Sequence, residues 1–212
     1  MSEDDEAIID AVDQALRKHG YAELTMQDIA DESEKSKSLL HYHYDTKEDL
    51  LVAFLDDLIS DYQERMACRE GQPPTERLVE FLARFVFTPD DTGREQFHLA
   101  LLEMRSQGPF NDRIRDQLDR SDQTLRNTAA EIISEGIEQG VFEAVDPERT
   151  AALLVATLDG ARTRQITLGD ANETYTRTVV EQALSQIVEP MLVEGVDLPD
   201  LDAVLAELDR EE

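Results

Sequence analysis

The chain of 212 residues carries 48 acidic and 20 basic side chains, which gives a formal net charge of -28. Its length suffices for one large domain or two small ones with a hydrophobic core. The single cysteine, Cys68, excludes an internal disulfide and a cysteine-rich zinc site. No apolar run approaches the roughly eighteen residues of a membrane span, and MSEDDEAI is not a basic-then-apolar leader. We therefore expect a soluble, cytoplasmic protein that makes no membrane contact.

The basic residues include only four lysines, which are Lys18, Lys35, Lys37 and Lys47. An acidic, lysine-poor surface keeps a protein soluble where multimolar salt screens charge repulsion, since the Debye length at 1 M is only about 3 Å. The composition therefore indicates a salt-in halophile of the haloarchaeal type. The alternatives are an acidic mesophilic protein and a disordered acidic chain, but a 41% apolar fraction and helical periodicity favour a packed fold.

Apolar residues recur at three- and four-residue steps in the first third of the chain, which predicts helices. The first helix is predicted over 5–19, followed by a short helix over MQDIADES with Thr25 as its N-cap. A second short helix is predicted over 37–44. Asp45 or Thr46 then caps a long helix that begins KEDLLVAF.

Proline and glycine interrupt the helical pattern of the remaining chain at 72–74, 89–93 and 108–109. Two amphipathic helices are predicted over 147–168 and 172–194, and a short acidic tail helix lies around 200–208. Long β-branched alternating runs are missing, so we predict an all-α protein.

The ten residues Lys35–Tyr44 contain two lysines, two histidines and two tyrosines but no acid. In so acidic a chain, this window favours a surface that meets an anionic partner. Two short helices joined by a tight turn, with polar and aromatic residues on the second, form the helix-turn-helix arrangement that enters the DNA major groove. His41 and His43 do not form a zinc pair, because residues two apart on a helix point about 200° apart.

The sequence contains no GxxxxGK[ST], GxGxxG, GxSxG or HExxH arrangement. Nothing in it favours catalysis, so we predict a protein that is not an enzyme and uses neither a cofactor nor a metal.

The run from Ile8 to about residue 55 resembles the N-terminal domain of TetR-family transcriptional regulators in the order and spacing of its features. These features are Ile8 with Ala11, Gly20-Tyr21, Thr25, Ile29-Ala30, the recognition segment Ser36–Tyr44, and Lys47-Glu48-Asp49-Leu50. The later chain, around EIISEGIEQGVFEAVDPERTAALLVATLDGARTRQI, is similar to the C-terminal domain of the betaine-repressor branch. The resemblance implies a three-helix helix-turn-helix DNA-binding domain over 1–48 and a helical ligand-binding and dimerisation domain over 49–196. An acidic tail helix then occupies 197–212.

The resemblance also implies which residues contact DNA: Thr25 and Lys47 at phosphates, and the recognition segment in the groove. The full predicted set is Thr25, Ser36, Lys37, Ser38, Leu39, His41, Tyr42, His43 and Lys47. Leu40 and Tyr44 are expected to anchor this segment to the core. Alternative interpretations remain for single members, since a lysine can be merely solvated, Tyr42 can be core and Thr25 can be only a helix cap.

Two further surfaces follow from the resemblance. The predicted residues of a largely apolar effector pocket are Phe81, Phe85, Phe97, His98, Leu101, Met104 and Arg105, with plain core as the alternative. The predicted dimer interface, formed by the last two long helices, contains Leu154, Leu158, Ala161, Val180, Leu184 and Ile187. A homodimer implies a palindromic operator in double-stranded DNA.

The leading hypothesis is therefore a homodimeric TetR-type regulator, a repressor released from DNA by a small molecule. Ser33-Glu34-Lys35 stand where the family usually has Ala-Gly-Val. This charged turn and the overall acidity motivate the alternative, a helical dimeric protein-interaction module that has lost DNA binding.

Overall fold

The computed structural model describes residues 3–33, 40, 42–69, 71–88, 92–168 and 174–211. These residues contain nine α-helices and, apart from an isolated bridge between Phe142 and Leu192, no β-structure, which confirms the predicted all-α class. The helices are α1 (Glu3–Glu23), α2 (Met26–Glu32), α3 (Lys47–Ala67), α4 (Pro74–Ala83), α5 (Thr92–Gln107), α6 (Asp112–Glu138), α7 (Pro147–Leu168), α8 (Tyr175–Ala183) and α9 (Leu201–Glu211). None of these helices is long and apolar enough to cross a lipid bilayer.

The chain divides into two compact units. The first contains Met1–Glu64 and Asp91–Asp122, and the second contains Arg65–Asp90 and Gln123–Glu212. Helix α5, which the sequence assigned to the domain over 49–196, therefore belongs to the same unit as the predicted helix-turn-helix. The functional boundaries predicted after residues 48 and 196 stay a prediction.

The core of the first unit is built on α1. Ile8, Val12 and Leu16 recur at four-residue steps, so they share one face of the helix, and all three are fully buried. The same cluster contains Ile29, Leu40, Leu50, Leu51, Phe54, Ala100 and Met104, which come from the following helices and from α5. Burying each large aliphatic side chain contributes about 1.5–3 kcal/mol, so α5 is part of what stabilises this unit.

Gly20 bends the end of α1. Its φ of 67° and ψ of 175° lie outside the helical region, in a range that is open almost only to glycine. The predicted end of the first helix therefore coincides with a kink rather than with the last helical residue. The kink leaves the backbone groups of the following residues without partners in the regular helix.

In the second unit, buried polar groups connect α7, α8 and the segment that follows α4. The side-chain oxygen Oε1 of Gln165 accepts a hydrogen bond from the Thr176 amide at 2.9 Å. The Thr176 hydroxyl in turn accepts from the Phe87 amide at 3.0 Å. Because both polar side chains are buried and satisfied, they fix the start of α8 against α7.

The end of α8 differs from the sequence prediction. The α-helix stops at Ala183. A π-helical stretch over Leu184–Val188 and a 3-10 turn over Glu189–Met191 replace the predicted α-helical continuation to residue 194. Pro190 has no amide hydrogen to donate to an α-helical partner, so the regular ladder cannot pass through it. The tail helix α9 begins at Leu201, close to the predicted position, and packs on α4 with Leu205 buried.

Candidate nucleic-acid interface

Part of the predicted recognition segment lies outside the described residues, namely Ser36, Lys37, Ser38, Leu39 and His41. Its described residues point in different directions. The Leu40 side chain is fully buried in the core, whereas the Tyr42 side chain is 83% exposed. Tyr44 packs against the core cluster, and its amide donates to the Leu40 carbonyl oxygen at 2.8 Å. The predicted anchoring by Leu40 and Tyr44 is confirmed, and it presents Tyr42 outward.

The exposed Tyr42 ring is held by its neighbour. Its centroid lies 5.4 Å from that of the His43 ring in an edge-on arrangement with an interplanar angle of 77°. An exposed aromatic ring of this kind offers a flat apolar face and a phenol hydroxyl that both donates and accepts. These groups suit contact with base edges or phosphates. The geometry is thus compatible with the predicted groove-facing role of Tyr42 and His43, which stays a prediction.

Thr25 is the N-cap of α2, as the sequence predicted. The Asp28 amide donates to Thr25 Oγ1 at 3.2 Å, and the Thr25 amide donates to Asp28 Oδ2 at 2.8 Å. The Thr25 hydroxyl also donates to the same carboxylate oxygen at 2.6 Å. Because its only hydroxyl hydrogen is engaged with Asp28, Thr25 in this arrangement has no donor for a phosphate.

The same pattern recurs at the start of α3. The Asp49 amide donates to Thr46 Oγ1 at 3.1 Å, and the Thr46 amide donates to Asp49 Oδ2 at 3.0 Å. The cap is therefore Thr46 and not Asp45, the two alternatives that the sequence left open. Asp49 also forms an ion pair with Arg113 of α6. Both helix N-termini, which could attract phosphates, thus already carry a carboxylate of the chain itself.

Lys47 makes three contacts within its own unit. Its ammonium donates to the Leu24 carbonyl oxygen at 2.9 Å and to that of Tyr21 at 3.2 Å, and it lies 4.7 Å from the centre of the Tyr21 ring. Burial raises the pKa of the Tyr21 phenol, and the Glu48 carboxylate adds to the rise. Since an ammonium has three N–H donors, at most one is left for the phosphate contact that the resemblance implied, and that contact stays a prediction.

An open cleft of about 420 Å³ lies beside the end of the recognition segment, within the first unit. Two ion pairs between α3 and α6 line it: Arg113 with Asp49, and Arg120 with Asp56. Each helix advances seven residues from one pair to the next, so the two segments run in the same direction. These side chains are partly or largely exposed, and ion pairs of this kind contribute little to the stability of a fold.

The predicted pocket residues belong to different units. On α5, the Phe97 ring lies edge-on to Phe54 at 6.1 Å, with the Arg17 guanidinium 5.2 Å from its centre. Met104 is fully buried and Leu101 packs against the same core, while His98 is half-buried and Arg105 is exposed. Phe81 and Phe85 lie in the second unit, with ring centroids 5.5 Å apart. No single unit brings these seven residues together, and the effector pocket stays a prediction.

The predicted dimer residues face the interior of their own protomer. Leu154, Leu158, Ala161, Val180 and Leu184 are all buried in the isolated chain, and only Ile187 is half-buried. Side chains that are buried within one protomer have little area left to bury against another. The outward face of α7 contains instead Leu153, Ala156, Gly160 and Arg164. Small and apolar residues occur on both sides of α7, and the predicted dimer interface stays a prediction.

The two threonine caps make a testable prediction about acid sensitivity. The hydrogen bonds from Thr25 lower the pKa of Asp28 below its ordinary value of 3.8, and those from Thr46, followed by Arg113, lower that of Asp49. At pH values between the lowered pKa values and 3.8, the unfolded chain therefore binds more protons than the folded one. The resulting stabilisation is present above pH 3.8 and is lost as the pH falls through the lowered values.

We expect Thr25→Val to raise the pKa of Asp28 towards 3.8 while leaving that of Asp49 unchanged, and Thr46→Val to do the reverse. Carboxyl-resolved NMR titration measures both values in each variant, so the two substitutions control for each other. An Asp28 pKa that does not respond to Thr25→Val would contradict this account of the cap.

Comparison with known proteins identifies two family regions. Residues 8–54 match the model of bacterial regulatory proteins of the tetR family, and residues 74–193 match that of the BetI-type transcriptional repressor C-terminal domain. Among curated protein sequences, none matches this chain.

Solved structures are similar over nearly the whole chain. A TetR transcription regulator from Haloarcula marismortui is 39% identical, with 91% of this chain and 100% of that one aligned at a TM-score of 0.80. A regulator from Saccharomonospora viridis in complex with choline shares 23% identity over 92% of this chain and 100% of its own, with a TM-score of 0.76. FadR from Bacillus subtilis in complex with stearoyl-CoA shares 21% identity over 86% and 98%, with a TM-score of 0.68. The last two comparisons concern the fold alone. The two family regions and the Haloarcula structure together show that this chain belongs to the TetR family of transcriptional regulators, with a C-terminal domain of the BetI type.

Proposed function

We propose that this TetR-family regulator is a cytoplasmic homodimeric repressor that binds a palindromic operator and is released by a small molecule. The observation that carries the DNA-binding part is the opposed placement of Leu40 and Tyr42. One side chain is fully buried and the other is 83% exposed, so the segment is fixed to the core while it presents an aromatic ring to a partner. The family places DNA contacts in this same segment.

Tyr42→Ala should weaken binding to DNA by about tenfold or more, as expected for the loss of one base or phosphate contact. It should leave the unfolding midpoint nearly unchanged, because the ring is largely exposed. The measurement is fluorescence anisotropy of a labelled DNA fragment from upstream of the protein's own coding sequence, in multimolar KCl. Phe110→Ala is the matched control, since Phe110 is an aromatic of the same unit that is 86% exposed and lies outside the predicted contact set.

Equal affinities of the Tyr42 and Phe110 variants would contradict the assignment of Tyr42. Absence of saturable binding by the unsubstituted protein, with unrelated DNA as control, would favour the protein-interaction alternative. That alternative gains weight because the Thr25 hydroxyl already donates to Asp28 and the Lys47 ammonium already donates to two backbone carbonyl oxygens, which leaves few donors for phosphates.

The negative charge of the first unit leads us to propose an unusual salt dependence of its affinity for DNA. Residues 1–50 contain 14 acids against 5 bases, and Asp28 and Asp49 occupy two helix starts. Ordinary DNA binders lose affinity as salt rises because they release counterions from DNA. A surface that brings carboxylates towards phosphates must instead take up cations to bridge them. The 39% identity to a Haloarcula protein supports a salt-in halophile as the setting for this mechanism.

We expect the logarithm of the association constant to change little, or to rise, as KCl increases from low to multimolar concentration. The anisotropy titration above, repeated across KCl concentrations with the protein's fold monitored by circular dichroism, measures the slope. A steep loss of specific binding by protein that remains folded would defeat the cation-uptake mechanism.

The proposed dimer uses the outward face of α7. Leu153 is 55% exposed, and Ala156 and Gly160 follow it at three- and four-residue steps on the same side. A Cβ atom added at Gly160 would meet nothing within 4 Å in the isolated chain. Among the residues that the structure describes, no contact requires glycine at this mid-helix position, where it costs about 0.5–1 kcal/mol relative to alanine. Close approach of a second copy explains its presence.

Gly160→Glu should convert the dimer largely to monomer, because it places a bulky carboxylate on each side of a two-fold contact. The folded protomer should persist, since the side chain enters open space. Sedimentation or light scattering in high KCl measures the mass. Ala144→Glu, which adds the same charge at an exposed loop residue, is the control. A dimer that withstands Gly160→Glu would place the interface elsewhere.

The proposed effector is a small molecule. Choline and stearoyl-CoA belong to the two neighbours described above. In this chain the Arg162 guanidinium carbon lies 4.2 Å from the centre of the Phe85 ring and 5.6 Å from that of Phe87. A cationic effector that used these two rings would therefore have to displace Arg162.

A further inference from the structure

The segment after Gly20 is held by a carboxylate from another helix. The Tyr21 amide donates to Glu103 Oε2 at 2.7 Å, and the Ala22 amide donates to the same oxygen at 3.1 Å. The kink at Gly20 deprives these amides of regular helical acceptors, and Glu103 of α5 supplies one. A Cβ atom on Gly20 would come within 3.1 Å of this oxygen, so glycine also makes room for the carboxylate.

The carbonyl groups of the same segment bind a side chain from a third helix. The Lys47 ammonium of α3 donates hydrogen bonds to the carbonyl oxygens of Tyr21 and Leu24. Hydrogen bonds to charged groups are about twice as strong as neutral ones. Residues 21–24 thus bind an anion on α5 and a cation on α3, and Glu103 and Lys47 both lie in the first unit.

This segment determines where α2 begins. Leu24 is buried and Thr25 caps α2, so the position of the backbone at residues 21–24 is passed directly to α2. The buried Ile29 of α2 and Leu40 of the recognition segment belong to one core cluster. A shift of residues 21–24 would therefore be passed through α2 to the buried Leu40 and to Tyr42 two residues further on.

We propose that Glu103 is a positioning residue for DNA binding, through which α5 fixes the segment between α1 and α2 and hence the recognition segment. This inference rests on the proposed DNA-binding function. It assigns to α5 a role that the predicted effector pocket did not include. Glu103 does not touch DNA in this scheme, and its effect passes through the Tyr21 and Ala22 amides.

The first test is amide hydrogen exchange in the full-length protein without DNA. We expect the Tyr21 and Ala22 amides to exchange faster in Glu103→Gln, and faster still, by about tenfold or more, in Glu103→Leu, which has no acceptor. Amides in the middle of α3 should not change. Unaltered exchange at Tyr21 and Ala22 in both variants would overturn the inference, whatever happens to DNA binding.

The second test uses the sign of the effect on DNA affinity. Removing one carboxylate from so acidic a unit should by itself leave DNA affinity unchanged or raise it, because a like charge is removed from near the phosphates. Positioning by Glu103 predicts the opposite, a loss of about fivefold or more in Glu103→Gln. Glu64→Gln is the matched control, since Glu64 is an exposed carboxylate of the same unit.

The outcomes separate this inference from the function on which it rests. If the unsubstituted protein binds DNA and Glu103→Gln binds as tightly as Glu64→Gln, the inference fails and the proposed function stands. If the unsubstituted protein binds no DNA, the proposed function fails and the positioning role falls with it, while the exchange data still decide whether Glu103 holds the segment.

Discussion

The backbone between α1 and α2 must have its polar groups satisfied, and the rest of the first unit depends on how this is done. Gly20 turns the chain out of the helix, and the amides that follow find their acceptor on Glu103 of α5. The carbonyl groups find their donor on Lys47 at the start of α3. Three helices that are distant in sequence therefore meet at one short segment. The bonds to the Tyr21 amide and to the Tyr21 and Leu24 carbonyl groups are part-buried, and such groups are costly to leave unpaired, so a shift of any of the three helices carries a free-energy penalty at this point.

The same acidic residues stabilise helix starts and repel DNA phosphates. Asp28 and Asp49 complete capping boxes with Thr25 and Thr46, and a negative charge at a helix N-terminus is stabilising. Those N-termini are also the places where a DNA phosphate would be attracted. In dilute salt the carboxylates would repel it. In multimolar KCl the repulsion is screened over about 3 Å and cations can bridge the two anions, so the conflict weakens under the conditions that the composition indicates.

The sequence predicted features that depend on neighbours along the chain, and it missed those that depend on packing. The Thr25 cap and the bounds of α7 at 147–168 were predicted, since a capping residue and an apolar period are local signals. The end of α8 at Ala183 was missed because the predicted pattern continued past Pro190. Leu154 and Leu158 were predicted at a dimer interface, and their burial within the protomer depends on packing that no local pattern indicates. The roles of Glu103 and Lys47 carry no local signal, since their partners lie 82 and 26 residues away.

The geometry at Glu103 makes the position of residues 21–24 sensitive to small movements of α5. One carboxylate oxygen accepts both amides, at 2.7 and 3.1 Å, so both hydrogen bonds lengthen together when α5 moves. A displacement of about 1 Å takes both beyond the range in which a hydrogen bond retains its strength. A movement of about 0.5 Å already takes the longer Ala22 bond out of this range while the Tyr21 bond persists, so the two charge-assisted bonds are lost one after the other. An effector that shifts α5 by the larger of these amounts would free the segment between α1 and α2. The position of Tyr42 would then change as well. Under the proposed function, an effector that binds better when α5 is displaced would in this way shift the population away from the DNA-binding conformation.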